Sequence, residues 1–402
     1  MSNGILLKGR SKRDIEQALV ANLLEKANFR GSVLAGTGFG KTRVMWKAAL
    51  KAWRTWKGDE RKKILILVPF DHLKDRFKDE LMSFTDKEER RDAFWNEHVE
   101  AHCYASISKL DPEGYSVVVG DEAQFGMTDM CHVFFSKVKG PLMFCTATEP
   151  EDPIYRNRLH QLAPVVYSIS LDECVEREFV APYRIRCIAV DLTPEESALY
   201  GTVNRNFGHW KNKLGFDAFN MAQGIMKHPK AYPKEDMVAA VGFYRAIRQR
   251  KELIDMAHNK ISKTVSLLED VDGRALVFGG NVAFVEKLAK AIPQSQMYHS
   301  KNGVKNNRKA LSEFKSGVCK RLVSVKALNQ GLDVPNAAHG IVCGLTSKVL
   351  TMIQRLGRFV RIDATDPDKT GFITIVYVKD SQEEKWLRNA LKSTDPSRIS
   401  WE

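Results

Sequence analysis

The stretch Leu34-Ala35-Gly36-Thr37-Gly38-Phe39-Gly40-Lys41-Thr42 decides the reading of this chain. A short apolar strand signal, Ser32 to Ala35, precedes the loop, and a helical pattern opens at Thr42. Strand, glycine-rich loop and helix in that order are the context of a phosphate-binding loop. Gly36, Gly38 and Gly40, with Thr37 among them, permit close approach of main-chain N–H groups to a phosphate. The helix adds its positive N-terminal end. Lys41 can reach β- and γ-phosphates, and the Thr42 hydroxyl can meet Mg²⁺. Ala35 stands where the usual pattern has its first glycine.

A length of 402 residues predicts two or three domains, and 44% hydrophobic content is enough to build buried cores. The formal net charge of +13 favours an anionic partner, nucleic acid above all. Seven cysteines without a C-x-x-C pair argue against a disulfide framework and a structural zinc site, and predict a reducing, cytoplasmic setting. No apolar run approaches a membrane span and no signal-peptide core opens the chain, so no membrane is expected as partner.

An amphipathic helix is predicted over Asp14 to Lys26, with Ile15, Leu19, Leu23 and Leu24 on its apolar side. Gln17 could read an adenine edge; a solvated helix face is the equal alternative for Glu16 and Gln17. After the loop, Val44 to Trp56 alternates Trp46, Trp53 and Trp56 with bases, and packing of those rings on a sheet is favoured over stacking on a nucleic-acid strand. Ile64 to Val68 reads as a buried strand ended by Pro69 and Phe70, and Ala101 to Tyr104 as another leading to Ser106.

Val117-Val118-Val119-Gly120-Asp121-Glu122-Ala123-Gln124 then carries two carboxylates to a strand's C-terminal end, where parallel α/β sheets bind ligands. Asp121 would hold Mg²⁺, and Glu122 would orient and deprotonate an attacking water, with Thr42, Asp121 and Glu122 as the candidate metal set. The strand Leu142 to Cys145 ends in Thr146-Ala147-Thr148, whose hydroxyls could bond the acids and sense the nucleotide state. Strands near 32, 64, 101, 117, 142 and 166 would complete a doubly wound parallel sheet ending near Ser170.

Glu178 to Pro182 reads as a crossover, and Arg184 to Val190 as the strand that opens a second domain. Thr193, Pro194 and Glu196 make a helix start with a capping box. The helical stretch that follows runs to about Asp270. Between 201 and 263 it carries 12 Lys and Arg against 5 Asp and Glu, a candidate nucleic-acid surface that includes Arg245, Arg248 and Lys251. A second alternation has strands at Ala275 to Phe278, Gln296 to Tyr298, Arg321 to Val325, Ile341 to Cys343 and Phe372 to Val378. It holds Asn329 to Pro335 and the helix Gln354 to Arg361. Arg358 and Arg361 share a face of that helix and offer two guanidinium groups to a developing phosphate charge.

These motifs in this order resemble the helicases and translocases of superfamily two, over nearly the whole chain. The phosphate loop resembles motif one, Asp121 to Gln124 motif two, and Thr146 to Thr148 motif three. Leu322 to Pro335 looks like motif five and Gln354 to Arg361 like motif six. The Tyr298-His299-Ser300 step and the long helical stretch look most like the XPB, RadD and UvsW branch, and compactness suggests its phage enzymes.

The resemblance implies two tandem RecA-like doubly wound parallel-sheet domains, 1–180 and 181–402, the second with a helical, basic insertion at about 194–270. It implies ATP and Mg²⁺ between them. Lys41, Thr42, Asp121 and Glu122 would come from one domain, and Gly331, Asp333, Gln354, Arg358 and Arg361 from the other. Pro69, Phe70, Ser106, Ser324 and Lys326 would touch a nucleic-acid strand.

The expected activity is an ATP-dependent DNA helicase or translocase that unwinds or branch-migrates forked or four-way DNA in recombination, replication or repair. DNA, branched or partly single-stranded, is favoured over RNA as partner, and a monomer is favoured. The setting would be the cytoplasm, that of the host for a phage enzyme. The alternatives are an RNA helicase with the same engine and a non-motor protein that binds nucleic acid under ATP control.

Two departures carry expectations. Gln124 stands where His or Asp is usual, so its coupling to motif three should differ in detail. No separate DNA-binding domain precedes the loop in this sequence, so grip is expected from the basic helices, the core domains or a partner.

Overall fold

The protein is described by a computed structural model over residues 11–57, 62–71, 73–84, 88–325, 339–346, 370–392 and 394–402. It divides into two compact units, the first reaching Pro182 and the second beginning at Tyr183.

In the first unit α1 (Lys12–Lys26) leads into β1 (Arg30–Ala35), and the loop passes into α2 (Lys41–Arg54). There follow β2 (Lys63–Val68), α3 (Leu73–Met82), α4 (Glu88–His98), β3 (Val99–Cys103), β4 (Tyr115–Asp121) and α5 (Asp129–Lys137). β5 (Leu142–Thr146), α6 (Pro153–Leu162), β6 (Val165–Ile169) and α7 (Leu171–Glu176) complete it. All six expected strands form one parallel sheet in the order β3-β2-β4-β5-β1-β6. This order places β5 between β1 and β4. Its register sets Thr146 beside Leu34 and Cys145 beside Asp121, so the loop, the two acids and the threonine pair share one edge. That edge is the carboxyl end of the sheet.

Two local expectations change. Helix α1 does not bury Ile15 and Leu19, which are each 47% exposed; it buries Gln17, Val20, Ala21 and Leu24. Those four positions follow the i, i+3, i+4, i+7 spacing of one helix face, and turning that face inward brings a polar Gln into the core. Tyr104 leaves the expected strand for a 3₁₀ turn, from which its hydroxyl donates to the Asp121 carbonyl at 2.9 Å. The tryptophans pack as expected. Trp46 is fully buried, with its indole N–H donating to Phe77 O, and Trp53 donates to Lys62 O.

The second unit opens with β7 (Tyr183–Val190), followed by α8 (Pro194–Leu214), α9 (Ala218–Lys227), α10 (Lys234–Asp255) and α11 (His258–Glu269). Then come β8 (Ala275–Gly279), α12 (Val282–Ala291), β9 (Ser295–Tyr298), α13 (Val304–Ser316) and β10 (Arg321–Val325). β11 (His339–Val342), β12 (Gly371–Val378), α14 (Gln382–Ala390) and β13 (Ile399–Trp401) follow. Its sheet runs β13-β7-β12-β11-β8-β10-β9. The final strand was not expected, because three residues are too few for a period to show.

The Thr193 capping box forms as the sequence predicts. The helices after it are not one insertion. α8, α9 and α10 enclose a small core of their own around Ala222, Ile225 and Phe243. α11 instead buries Ile261, Leu267 and Leu268 in the core under the second sheet.

Candidate functional site

The loop after β1 is shaped by two glycines whose backbone angles would strain any other residue. Gly38 and Gly40 have φ of 94° and 91°, in the left-handed region. A Cβ on Gly38 would come within 2.7 Å of Val180 Cγ1, and one on Gly40 within 2.3 Å of Gln17 Nε2. Phe39 is fully buried between Tyr167 and Phe179 and pins the loop to the unit's core. Arg13 Nη1 donates to Gly38 O at 3.4 Å. Lys41 opens α2, and its ammonium donates to Ala35 O at 2.8 Å. Thr42 beside it is buried.

Gln17 lies against this loop. Its Nε2 donates to Phe39 O at 2.7 Å, and its buried Oε1 has no partner among the described residues. Glu16 is engaged elsewhere, accepting from the Tyr167 hydroxyl and from Arg177. Of the two residues left open by the sequence, the structure therefore brings Gln17 to the loop.

At the end of β4, Asp121 is buried, and its Oδ1 accepts from the Cys145 thiol at 3.1 Å. Burial first, and the neighbouring Glu122 carboxylate second, push the Asp121 carboxyl above its usual range; Arg76, the Cys145 thiol and Lys41 pull the other way. Burial and Asp121 together push the Cys145 thiol well up, so it stays a neutral donor. Glu122 takes a left-handed backbone, φ 49° and ψ 59°, a conformation that costs a non-glycine residue about 1 kcal/mol or more. Gln124 Nε2 donates to Glu122 Oε2 at 2.9 Å, and Gln124 Oε1 accepts from the Thr146 hydroxyl. Thr148 N donates to Thr146 Oγ1 at 3.2 Å.

The residues fit a magnesium nucleotide. Thr42, Asp121 and Glu122 offer oxygen only, the donor set of a hard cation. A divalent charge beside Asp121 would offset the burial and repulsion that raise its carboxyl. The unpartnered Gln17 Oε1 fits an amino-group donor.

A family model described as "Type III restriction enzyme, res subunit" matches residues 11–135, and one described as "Helicase conserved C-terminal domain" matches residues 259–363. Over 264 residues the chain is 24% identical to the DNA 3'-5' translocase XPB2 of Sulfurisphaera tokodaii, covering 64% of this chain and 55% of that protein. The two family models and the likeness to XPB2 support a superfamily two DNA helicase or translocase of the XPB-like kind.

A second relative is DEAD-box ATP-dependent RNA helicase 22 of Arabidopsis thaliana, 28% identical over 130 residues, 31% of this chain and 21% of that one. The chain thus spans about half the length of the first relative and about a fifth of the second. Among solved structures, the Hef helicase domain of Pyrococcus furiosus superposes with a TM-score of 0.56 at 16% identity, over 94% of this chain and 99% of that one, a likeness of fold.

The other expected site residues divide four ways. Gly331, Asp333, Lys326, Gln354, Arg358 and Arg361 lie outside the described residues. Pro69, Phe70 and Ser106 are half-buried at the ends of β2 and β3. Phe70 packs edge-on against Phe125 at 5.6 Å, and Ser106 donates to Cys103 O. Ser324 needs correcting: it is fully buried with its hydroxyl unpartnered, so its side chain offers a strand no surface. Lys251 needs correcting too, because its ammonium bonds the buried Asp255 carboxylate. Arg245 and Arg248 are exposed on α10.

Three contributors carry no local pattern that marks them in the sequence. Cys145 and Tyr104 reach Asp121 only through sheet register and a turn, and Arg76 acts on it from α3.

Among the described residues no helix is long and apolar enough to cross a membrane.

Proposed function

We propose that this protein is an ATP-driven DNA translocase acting on DNA that is branched or partly single-stranded. The observation that carries the proposal is the continuous hydrogen-bonded line Glu122–Gln124–Thr146 beside the loop that holds Lys41. Such a line ties the candidate hydrolytic carboxylate to the end of a neighbouring strand, a link through which the nucleotide state can be passed on.

In this account Gly36, Thr37, Gly38 and Gly40 wrap the phosphates, and Lys41 exchanges Ala35 O for phosphate oxygens. Thr42 and Asp121 would hold Mg²⁺, which when bound would supply charge neutralisation at the phosphates. Glu122 orients water and accepts its proton. Gly331, Asp333, Gln354, Arg358 and Arg361 would complete the hydrolytic set, as the resemblance to superfamily two implies. Pro69, Phe70, Ser106, Lys326, Arg245 and Arg248 contact the strand. The DNA named in the first relative and the net charge of +13 support a DNA partner. Branch migration is the finer reading, from the resemblance to the UvsW branch.

The test is ATP hydrolysis by wild type and Lys41→Ala without nucleic acid, with single-stranded DNA, with a four-way junction and with matched RNA. The proposal expects stimulation by DNA, greatest with the junction, and none in Lys41→Ala. Stimulation by RNA alone would favour the second reading, an RNA helicase, to which the DEAD-box relative points. Turnover indifferent to every nucleic acid would contradict both.

A further inference from the structure

Helices α8 and α9 meet at Gly215-Phe216-Asp217, a turn made by Gly215 with φ of 87°. Both flanks are anchored, since Leu214 and Ala218 are buried in the core that α8, α9 and α10 share. The turn is thus fixed, yet Phe216 between the anchors is fully exposed. Phe219, in the first turn of α9, is 58% exposed and braced edge-on against the buried Phe243 at 5.0 Å. Lys211 and Lys213 are exposed on the approach from α8. The carboxylate within the turn, Asp217, accepts from the Asn220 amide at 2.8 Å.

One exposed apolar side chain on a surface is ordinary. Here two aromatic rings and two ammonium groups share the tip of a braced helical hairpin. That is the mixture single strands use: a π-face for each base and a cation for each phosphate. The charge of the surrounding segment, 12 Lys and Arg against 5 Asp and Glu between 201 and 263, favours a polyanion over an apolar protein surface.

We propose that Phe216 and Phe219 form a platform on which unpaired bases of a DNA strand stack, with Lys211 and Lys213 taking the flanking phosphates. The proposal rests on the reading above, that the chain works on DNA with single-stranded character, and gives that strand a defined docking point on the second unit.

The experiment uses the full chain as wild type, Phe216→Ala, Phe216→Leu and Phe216→Trp, with a single-stranded oligonucleotide carrying 2-aminopurine, whose fluorescence falls on stacking. Ala and Leu should each weaken binding about tenfold and lose the quench, while Trp keeps both. ATP hydrolysis without DNA should be unchanged in all three, because Phe216 lies outside the nucleotide site. Wild-type affinity in Phe216→Ala overturns the platform. Full affinity in Phe216→Leu also overturns it and marks an apolar docking surface instead. DNA-stimulated hydrolysis in wild type beside an unaffected Phe216→Ala contradicts the platform alone. A wild type that neither binds nor responds to DNA contradicts the functional reading as well.

Discussion

Gln124 donates from Nε2 to Glu122 Oε2 at 2.9 Å. The other end of the same carboxamide accepts from Thr146 Oγ1, so one side chain joins the acid after β4 to the end of β5. Gln124 stands where His or Asp is usual in the resembled motif, and Gln can do what an ionised Asp cannot: it donates to a carboxylate and accepts from a hydroxyl at once. The line also fixes a Glu122 whose backbone is strained, so loss of Gln124 would release both the orientation and the strain.

Gln124→Leu should therefore lower DNA-stimulated kcat roughly 10- to 100-fold while leaving KM for ATP within about twofold. Thr146→Val should act in the same direction, and the double variant should lose less than the product of the two effects. Steady-state kinetics on the three variants check this. Full multiplicativity would mean that the two residues work separately.

The raised Asp121 carboxyl makes a prediction about stability. Its native value lies above the ordinary 3.8, so the ionised group costs the folded state free energy. That cost is absent well below pH 3.8, grows as the pH rises through the native value, and is constant above it. Asp121→Asn, measured without nucleotide, should melt higher than wild type at pH 7, with the advantage shrinking in acid, while turnover is lost. A Tm at pH 7 equal to or below that of wild type would show that the charge is already compensated.

Gln17 is held between the loop carbonyl of Phe39 and an unpartnered oxygen. Gln17→Ala should raise KM for ATP about tenfold and that for GTP by no more than about twofold, because a carboxamide pairs with both edges of an adenine amidine. Parallel titration with the two nucleotides decides it. Equal losses would reduce Gln17 to a brace for the loop.

Lys251 and its neighbours on α10 should separate cleanly. Lys251→Ala leaves Asp255 buried without its cation and should cost about 1–3 kcal/mol, less than a fully buried pair because the lysine is 30% exposed. Arg245→Glu with Arg248→Glu should leave Tm near wild type and flatten the salt dependence of DNA binding by about 0.9 in log–log slope for each phosphate no longer neutralised. Thermal melting and salt titration on both proteins test the division. A slope unchanged by the arginine reversals would remove α10 from the binding surface.

What was legible in the sequence was what repeats locally. Continuous apolar runs such as Ile64 to Val68 and Val117 to Val119 mark parallel strands, and Gly38, Gly40 and Lys41 mark the loop, because each needs only its neighbours to be read. The rest depends on distant pairing. Ile15 and Leu19 looked like a core face, but α1 is turned by Gln17, whose partner Phe39 lies 22 positions on. Cys145 meets Asp121 only because β5 pairs with β4. Lys251 looked like surface charge until Asp255 proved buried. Phe216 read as nothing in the sequence; only the burial of Leu214 and Ala218 on either side shows that it is displayed.

In the proposed function, hydrolysis at Glu122 drives movement along DNA. The direct measurement is displacement of a triplex-forming oligonucleotide from duplex DNA by wild type and Glu122→Gln with saturating ATP. Wild type should strip the third strand at a rate that follows ATP turnover. Glu122→Gln should bind ATP and DNA as tightly as wild type and leave the triplex in place. Displacement by Glu122→Gln at the wild-type rate, or rapid DNA-stimulated hydrolysis by wild type with no displacement, would contradict the claim.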